Sequence, residues 1–160
     1  MAAPKNRRWI VFVPLLSAVA LGVVLMVLRT GTGDLALRIR IIRALNEGGG
    51  QTIDMNNMAA FTWDELVVLG PYSTAQQQAD VAELPFYVRW VVRLSSREDI
   101  CVLAFKLGHR YRTHVVMPRA KGDFLPAVRP SSYVNDTALF AGQLKGDRIL
   151  VYPAKPLEAR

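Results

Sequence analysis

Three observations predict an α+β fold carried on an N-terminal transmembrane helix. Residues 9–28, WIVFVPLLSAVALGVVLMVL, carry no charge; several segments beyond residue 61 alternate apolar and polar side chains with period two; and Gly or Pro punctuates those segments. The expected domain is a mainly antiparallel sheet of about five or six strands with one or two helices. The chain has 160 residues, room for one such domain plus an attachment.

The charge distribution points the same way. The formal charge is +7. Lys5, Arg7 and Arg8 precede the apolar run, and Arg29, Arg38, Arg40 and Arg43 follow it. From Asn46 onward 13 Lys or Arg face 12 Asp or Glu, so the domain itself is nearly neutral. Basicity gathered around one apolar segment fits a membrane rather than a nucleic acid.

That segment is long enough to cross a bilayer, since about 20 helical residues span about 30 Å. Trp9 and Arg29 mark its ends, where an indole and a snorkelling guanidinium belong. It is longer than a signal-peptide core, and no small-residue cleavage site or lipid-accepting Cys follows it, so the expectation is an uncleaved signal anchor. Charge concentrated in residues 1–8 favours a cytoplasmic N-terminus and a domain on the far side of the membrane. The resulting division is 1–8 cytoplasmic, 9–28 transmembrane, 29–50 juxtamembrane helix and Gly linker, and 51–160 extracytoplasmic domain. The single Cys, Cys101, forms no internal disulfide and so carries no compartment signal.

Asp34 is placed to N-cap a helix running to about Asn46, which Gly48, Gly49 and Gly50 end. Leu35, Ile39 and Ile42 fall on one of its faces and Arg40 and Arg43 on another, an amphipathic basic helix suited to headgroups, to a partner, or to packing on its own domain. Residues 63–69 read as a strand whose centre, Leu66 to Leu69, is apolar on both faces, as for a strand covered on both sides. Gly70 and Pro71 stop it. Ser73 or Thr74 with a Gln three residues later makes a capping box for a helix over 74–84.

Strands follow at 86–94 (FYVRWVVRL), 99–108 and 109–117, with Gly108 and His109 turning between the last two, which together form an expected meander. Residues 118–135, with three prolines, read as a long surface loop. A second hairpin, 136–144 and 147–153, turns at Lys145 and Gly146.

The order of WDELVVLGPYS, then AFKLGHRYRTHVVMPRAKGDF, then YVNDTALF resembles small bacterial envelope proteins, lipoprotein or single-anchor, that share a W-D-x-x-x-x-x-G-P-Y element. The matching positions are Trp63, Asp64, Gly70, Pro71 and Tyr72, with Arg119, Asp123 and Phe124 after a strand hairpin. The resemblance covers residues 61–140 and implies a place in the bacterial envelope; together with the expected anchor and N-terminal charge, the expected location is the inner membrane with the domain facing the periplasm. The resemblance implies no particular activity.

Chemistry is sparse. Asp64 and Glu65 are adjacent, so in a strand they point to opposite faces and do not form an acid and base pair. Asp64 is either a partner for an arginine such as Arg119, ordering the 118–135 loop, or a plain turn carboxylate. His109 and His114 have no metal-ligand spacing, and no nucleotide, hydrolase or zinc motif is present, so neither cofactor nor metal is expected. Arg89, Arg93, Arg110 and Arg112, with Tyr87, fall opposite the apolar faces of their strands and make one basic patch if those strands are neighbours. The expectation is therefore a non-enzymatic, membrane-anchored protein whose domain binds an envelope protein, as an immunity or inhibitor protein or as an accessory of an envelope assembly. The competing expectations are an enzyme with a site at Asp64, Arg119 and Asp123, and a structural tether working through the basic helix.

Overall fold

The computed structural model describes residue 21 and residues 33–47, 52–71, 84–86, 89, 98–128 and 132–154. The elements in chain order are helix α1 (Leu35–Glu47), strand β1 (Thr52–Asp54), a one-turn helix α2 (Met55–Met58), β2 (Glu65–Leu69), β3 (Ile100–Leu107), β4 (Arg110–Pro118), a 3-10 turn at Leu125–Val128, β5 (Ser132–Val134), a second 3-10 turn at Asn135–Thr137, β6 (Leu139–Lys145) and β7 (Arg148–Pro153). The strands form two antiparallel sheets, β4-β3-β2-β5 and β1-β6-β7. The α+β class stands, but two sheets replace the one expected.

Both predicted hairpins are present, and their turns follow from glycine. Gly108 and Gly146 each take the first place of a two-residue turn with positive φ, 57° and 65°. That is the backbone twist which closes a tight hairpin without splaying its strands.

β2 is an inner strand between β3 and β5, and its alternation divides between two cores. Leu66 and Val68 join the main core with Cys101, Leu103 and Phe105 of β3, Val115 and Met117 of β4, Tyr133 of β5 and Phe140 and Val151 of the second sheet. Val67 and Leu69 join a smaller one with Val102, Ala104, Val116 and Leu84 on the opposite face. Continuous apolar sequence on a strand buried from both sides is thus realised, and the strand ends at Leu69 before the Gly70-Pro71 pair.

α1 begins where Asp34 was expected to cap it: the Asp34 carboxylate accepts the Leu37 N–H at 2.9 Å. Its orientation differs from the reading of Leu35, Ile39 and Ile42 as the apolar face. Leu37, Ile41 and Leu45 are the buried stripe, while Leu35 and Ile39 are exposed. The helix that sequence sets apart as juxtamembrane therefore contributes to the main core. Gly33 fixes its start, bridging to Val115 while the Asp34 N–H donates to the His114 carbonyl at 2.7 Å. With φ at +66° and a Cβ position that overlaps the His114 carbonyl oxygen, only glycine fits there.

Two further expectations change. The described neighbours of β3 are β4 and β2, and of the expected strand over 86–94 only Phe86 and Arg89 lie among the described residues. Phe86 and Arg89 are themselves helical, with the Arg89 N–H donating to the Pro85 carbonyl at 3.0 Å, one helical turn back. The described residues of 118–135 do not form a surface loop, because Phe124, Ala127, Val128 and Tyr133 lie in the core and 132–134 form the edge strand β5. Pro126 lies within the first 3-10 turn, where the neighbouring Ala127 and Val128 still pack inward.

Among the described residues no helix is long and apolar enough to cross a membrane. Of the 9–28 run only Leu21 is described, helical and 60% exposed. The expected helix over 74–84, apart from Leu84, and Tyr72, Tyr87 and Arg93 also lie outside the described residues.

Candidate functional site

The opening of β2 organises one rim of the larger sheet. The Asp64 N–H donates to the Lys106 carbonyl at 3.0 Å, the Asp64 carbonyl accepts the Asn135 N–H at 2.9 Å, and its carboxylate accepts the Gly108 N–H at 2.6 Å. One residue thus joins the starts and ends of three strands. Asn135 adds a bond from its side-chain nitrogen to the Trp63 carbonyl at 2.8 Å. Trp63 is buried edge-on against Phe105, with ring centroids 5.2 Å apart, and Phe61 meets the same ring at 5.3 Å.

Arg119 and Asp123 lie at the other end. Ile100, at the start of β3, pairs with Pro118, whereas Lys106, near its end, pairs with Glu65. About six residues of strand, roughly 20 Å, separate the two ends. Asp64 therefore does not pair with Arg119, and Asp64, Arg119 and Asp123 do not converge. Arg119 instead holds Asp123 through two parallel bonds, Nε to Oδ1 at 2.8 Å and Nη2 to Oδ2 at 2.7 Å, and donates through Nη1 to the Glu98 carbonyl. Bidentate arginine–carboxylate geometry is the strong form of such a pair, and it holds the guanidinium pKa up.

Asp123, only 2% exposed, is a junction. Its carboxylate also accepts the Leu125 N–H at 3.0 Å, opening the first 3-10 turn. Its backbone exchanges two bonds of 2.8 Å with Ile149 and Val151 of β7, tying the tail of one sheet to the edge of the other. Phe124 then enters the core against Phe140 at 5.7 Å. The Arg, Asp and Phe of the resemblance thus form the latch between the sheets.

Cys101 sits behind this latch. Burial, with the Asp123 charge adding to it, outweighs the Arg119 charge and a backbone bond from Phe124, pushing the thiol from 9.0 up to about 12. A thiol so held is a packing group rather than a nucleophile. Burial likewise raises the Tyr133 phenol, whose O–H donates to the Ala127 carbonyl at 2.6 Å.

A polar row that sequence reading missed crosses the second face near the Asp64 rim. Lys106, 6% exposed, meets Glu65 with Nζ and Oε2 2.9 Å apart. In the next strand the Tyr111 hydroxyl lies 2.6 Å from Nδ1 of His114, itself 2% exposed. Strict alternation from Met117 assigns Tyr111 to the main-core face. The β-bulge prevents this: Phe105 pairs with Thr113 and Lys106 with Tyr111, leaving Arg112 as the extra residue. After the bulge Tyr111 shares a face with His114 and Val116. Lys106 keeps the alternation of Val102 and Ala104, and no period in the sequence marks Arg112 as the extra residue of β4.

Comparison of the chain with family models, with curated proteins and with solved structures gives no match. Of the five patch residues, Arg89, Arg110 and Arg112 are described, and all three are exposed. Arg110 pairs with Leu107 across the β3–β4 turn and Arg112 is the bulge residue, so these two flank the Asp64 rim rather than line an open sheet face. On the same rim Leu107 is 42% and Val134 57% exposed. The rim thus offers two apolar side chains, two arginines and His109 on a scaffold that Asp64 fixes. That composition suits contact with a protein surface that is partly apolar and acidic.

Proposed function

We propose that this chain is a single-pass, membrane-anchored protein of the bacterial envelope. Residues 9–28 are its anchor, and its α+β domain faces the periplasm and acts by binding another envelope protein through the rim at Leu107, Arg110, Arg112 and Val134. The observation that carries the anchored reading is the chain's continuity. The uncharged run ends at Leu28, and after only four intervening residues Gly33 is already fixed against β4. The binding reading is supported by how the interior ionisable groups are held: Asp123 by Arg119, Lys106 by Glu65 and Cys101 in its protonated form. Exposed apolar and basic side chains meanwhile meet at the rim. A partner of the inhibited or assembled kind, such as a toxin or hydrolase that the domain neutralises or a component of an envelope assembly, fits this division between a locked interior and a presenting edge. The enzymatic alternative at Asp64, Arg119 and Asp123 loses its geometric support, because those residues stand at opposite ends of the sheet.

The test is site-specific photocrosslinking in intact cells. A photoreactive residue at position 107 or 134 gives one discrete adduct, and joint replacement Arg110→Glu and Arg112→Glu removes it. Adducts no different from those at the exposed hairpin residue Leu144, or indifferent to the two arginines, contradict the rim as the binding surface.

A further inference from the structure

α1 carries an exposed apolar face as well as a buried one. Leu37, Ile41 and Leu45 are buried, and on the opposite side Leu35 and Ile39 are 53% and 50% exposed. Arg40 and Arg43 are exposed beside them. Ile39 and Arg43 stand one turn apart, as do Leu35 and Ile39, so the apolar pair and the arginines share one surface. Apolar side chains flanked by arginines suit a helix lying in the interfacial layer: the aliphatic groups sink below the headgroups and the guanidinium groups meet lipid phosphates. The contact between Arg43 and Glu47, at 3.9 Å with both side chains about 70% exposed, is too weak and too well solvated to withhold Arg43 from such a surface.

The tether says which surface this face meets. Gly33 is pinned to Val115, and Asp34 to the His114 carbonyl. However residues 29–32 run, five Cα steps reach no farther than about 18 Å from Leu28 to Gly33. The 13 residues of α1 extend only about 20 Å. A helix that starts so close to the end of a membrane span meets the bilayer surface at a high effective concentration, with no partner recruited from solution. We propose that the exposed face of α1, centred on Leu35 and Ile39 and edged by Arg40 and Arg43, seats on the anionic headgroups beside the anchor. There it holds the domain in one orientation to the membrane. This inference rests on the anchored reading above, and it commits the face to lipid rather than to protein.

The full chain, reconstituted into vesicles of phosphatidylcholine alone or with about one-third phosphatidylglycerol, tests it. An environment-sensitive fluorophore is placed on Ile39→Cys, with Val134→Cys as the control on the far edge strand; native Cys101 is buried and stays unlabelled. Flotation with the vesicles and resistance to carbonate extraction check the anchor in the same samples. The expected result is that, with the anionic lipid, the position-39 label shifts to the blue and is shielded several-fold from aqueous iodide. It loses that protection in phosphatidylcholine, in 0.5 M salt or on joint replacement Arg40→Glu and Arg43→Glu. The position-134 label stays exposed throughout. Flotation with equal quenching at both positions, or with position-39 shielding indifferent to lipid charge, overturns the docking while leaving the anchor standing. Failure to float overturns the anchor and the docking with it.

Discussion

Asp64 shows what a single residue contributes to this fold. Its carboxylate closes on the Gly108 N–H and its backbone on Lys106 and Asn135, so the acidic residue beside the indole is a clamp on the sheet's rim. The sequence makes it visible as one of two adjacent carboxylates at a strand start, but not its partner, because Gly108 lies 44 positions away. Arg119 and Asp123 stood out in the sequence only through the resemblance, and their mutual pairing, four positions apart across a turn, was not read from it. At the same scale the two buried acidic hydrogens predict alkaline sensitivity. Cys101 is raised to about 12 and Tyr133 is raised as well, both by burial. Above the unfolded value of 9.0 for the thiol, an unfolded chain releases a proton that the native state keeps, so stability is whole below about pH 9 and falls as pH rises toward 12. Urea unfolding midpoints measured from pH 7 to 11 are expected to decline above pH 9. The decline should be shallower in Cys101→Ala and in Tyr133→Phe, and a decline equally steep in both variants would assign it to other groups.

At the scale of elements, the strands that read most clearly were those with a tight glycine turn beside them: β3 with β4, and β6 with β7. The misread face of α1 came from two compatible periods. In LALRIRIIRALNE the set Leu35, Ile39 and Arg43 and the set Leu37, Ile41 and Leu45 have the same spacing, but only the second stays apolar through a third turn. The fold buries that one. FYVRWVVRL alternates, yet its two described residues, Phe86 and Arg89, are helical, and Pro85 before them suits a first helical turn. In β4 the alternation was right from Thr113 onward, and the bulge at Arg112 reversed it for Tyr111. Opposite faces of α1 then differ sharply in cost. Ile41→Ala, at a fully buried position, is expected to destabilise by about 2 to 5 kcal/mol. Ile39→Ala, half exposed, should change stability by less than about 1 kcal/mol. Comparison of the two by chemical denaturation checks the face assignment, and equal losses would contradict it.

For the whole molecule, the α+β class was legible because alternation and turn chemistry are local. The division of strands into two sheets was not, because it depends on contacts such as Asp123 with β7 that no period encodes. The same distinction governs the proposed function. The proposed anchor is written in 20 consecutive uncharged residues, whereas the proposed rim of Leu107, Arg110, Arg112 and Val134 is assembled from segments that meet only on folding. With α1 in the core, only residues 29–32 separate the proposed anchor from the domain, and the proposal therefore holds the domain close to the bilayer. Everything proposed for the rim depends on the compartment it faces. The most direct test fuses to Arg160 a reporter active only in the periplasm and, in parallel, one active only in the cytoplasm, in a bacterial host. The account predicts activity from the periplasmic fusion alone. Activity from the cytoplasmic fusion alone would contradict it, placing the domain and its rim on the inner side of the membrane.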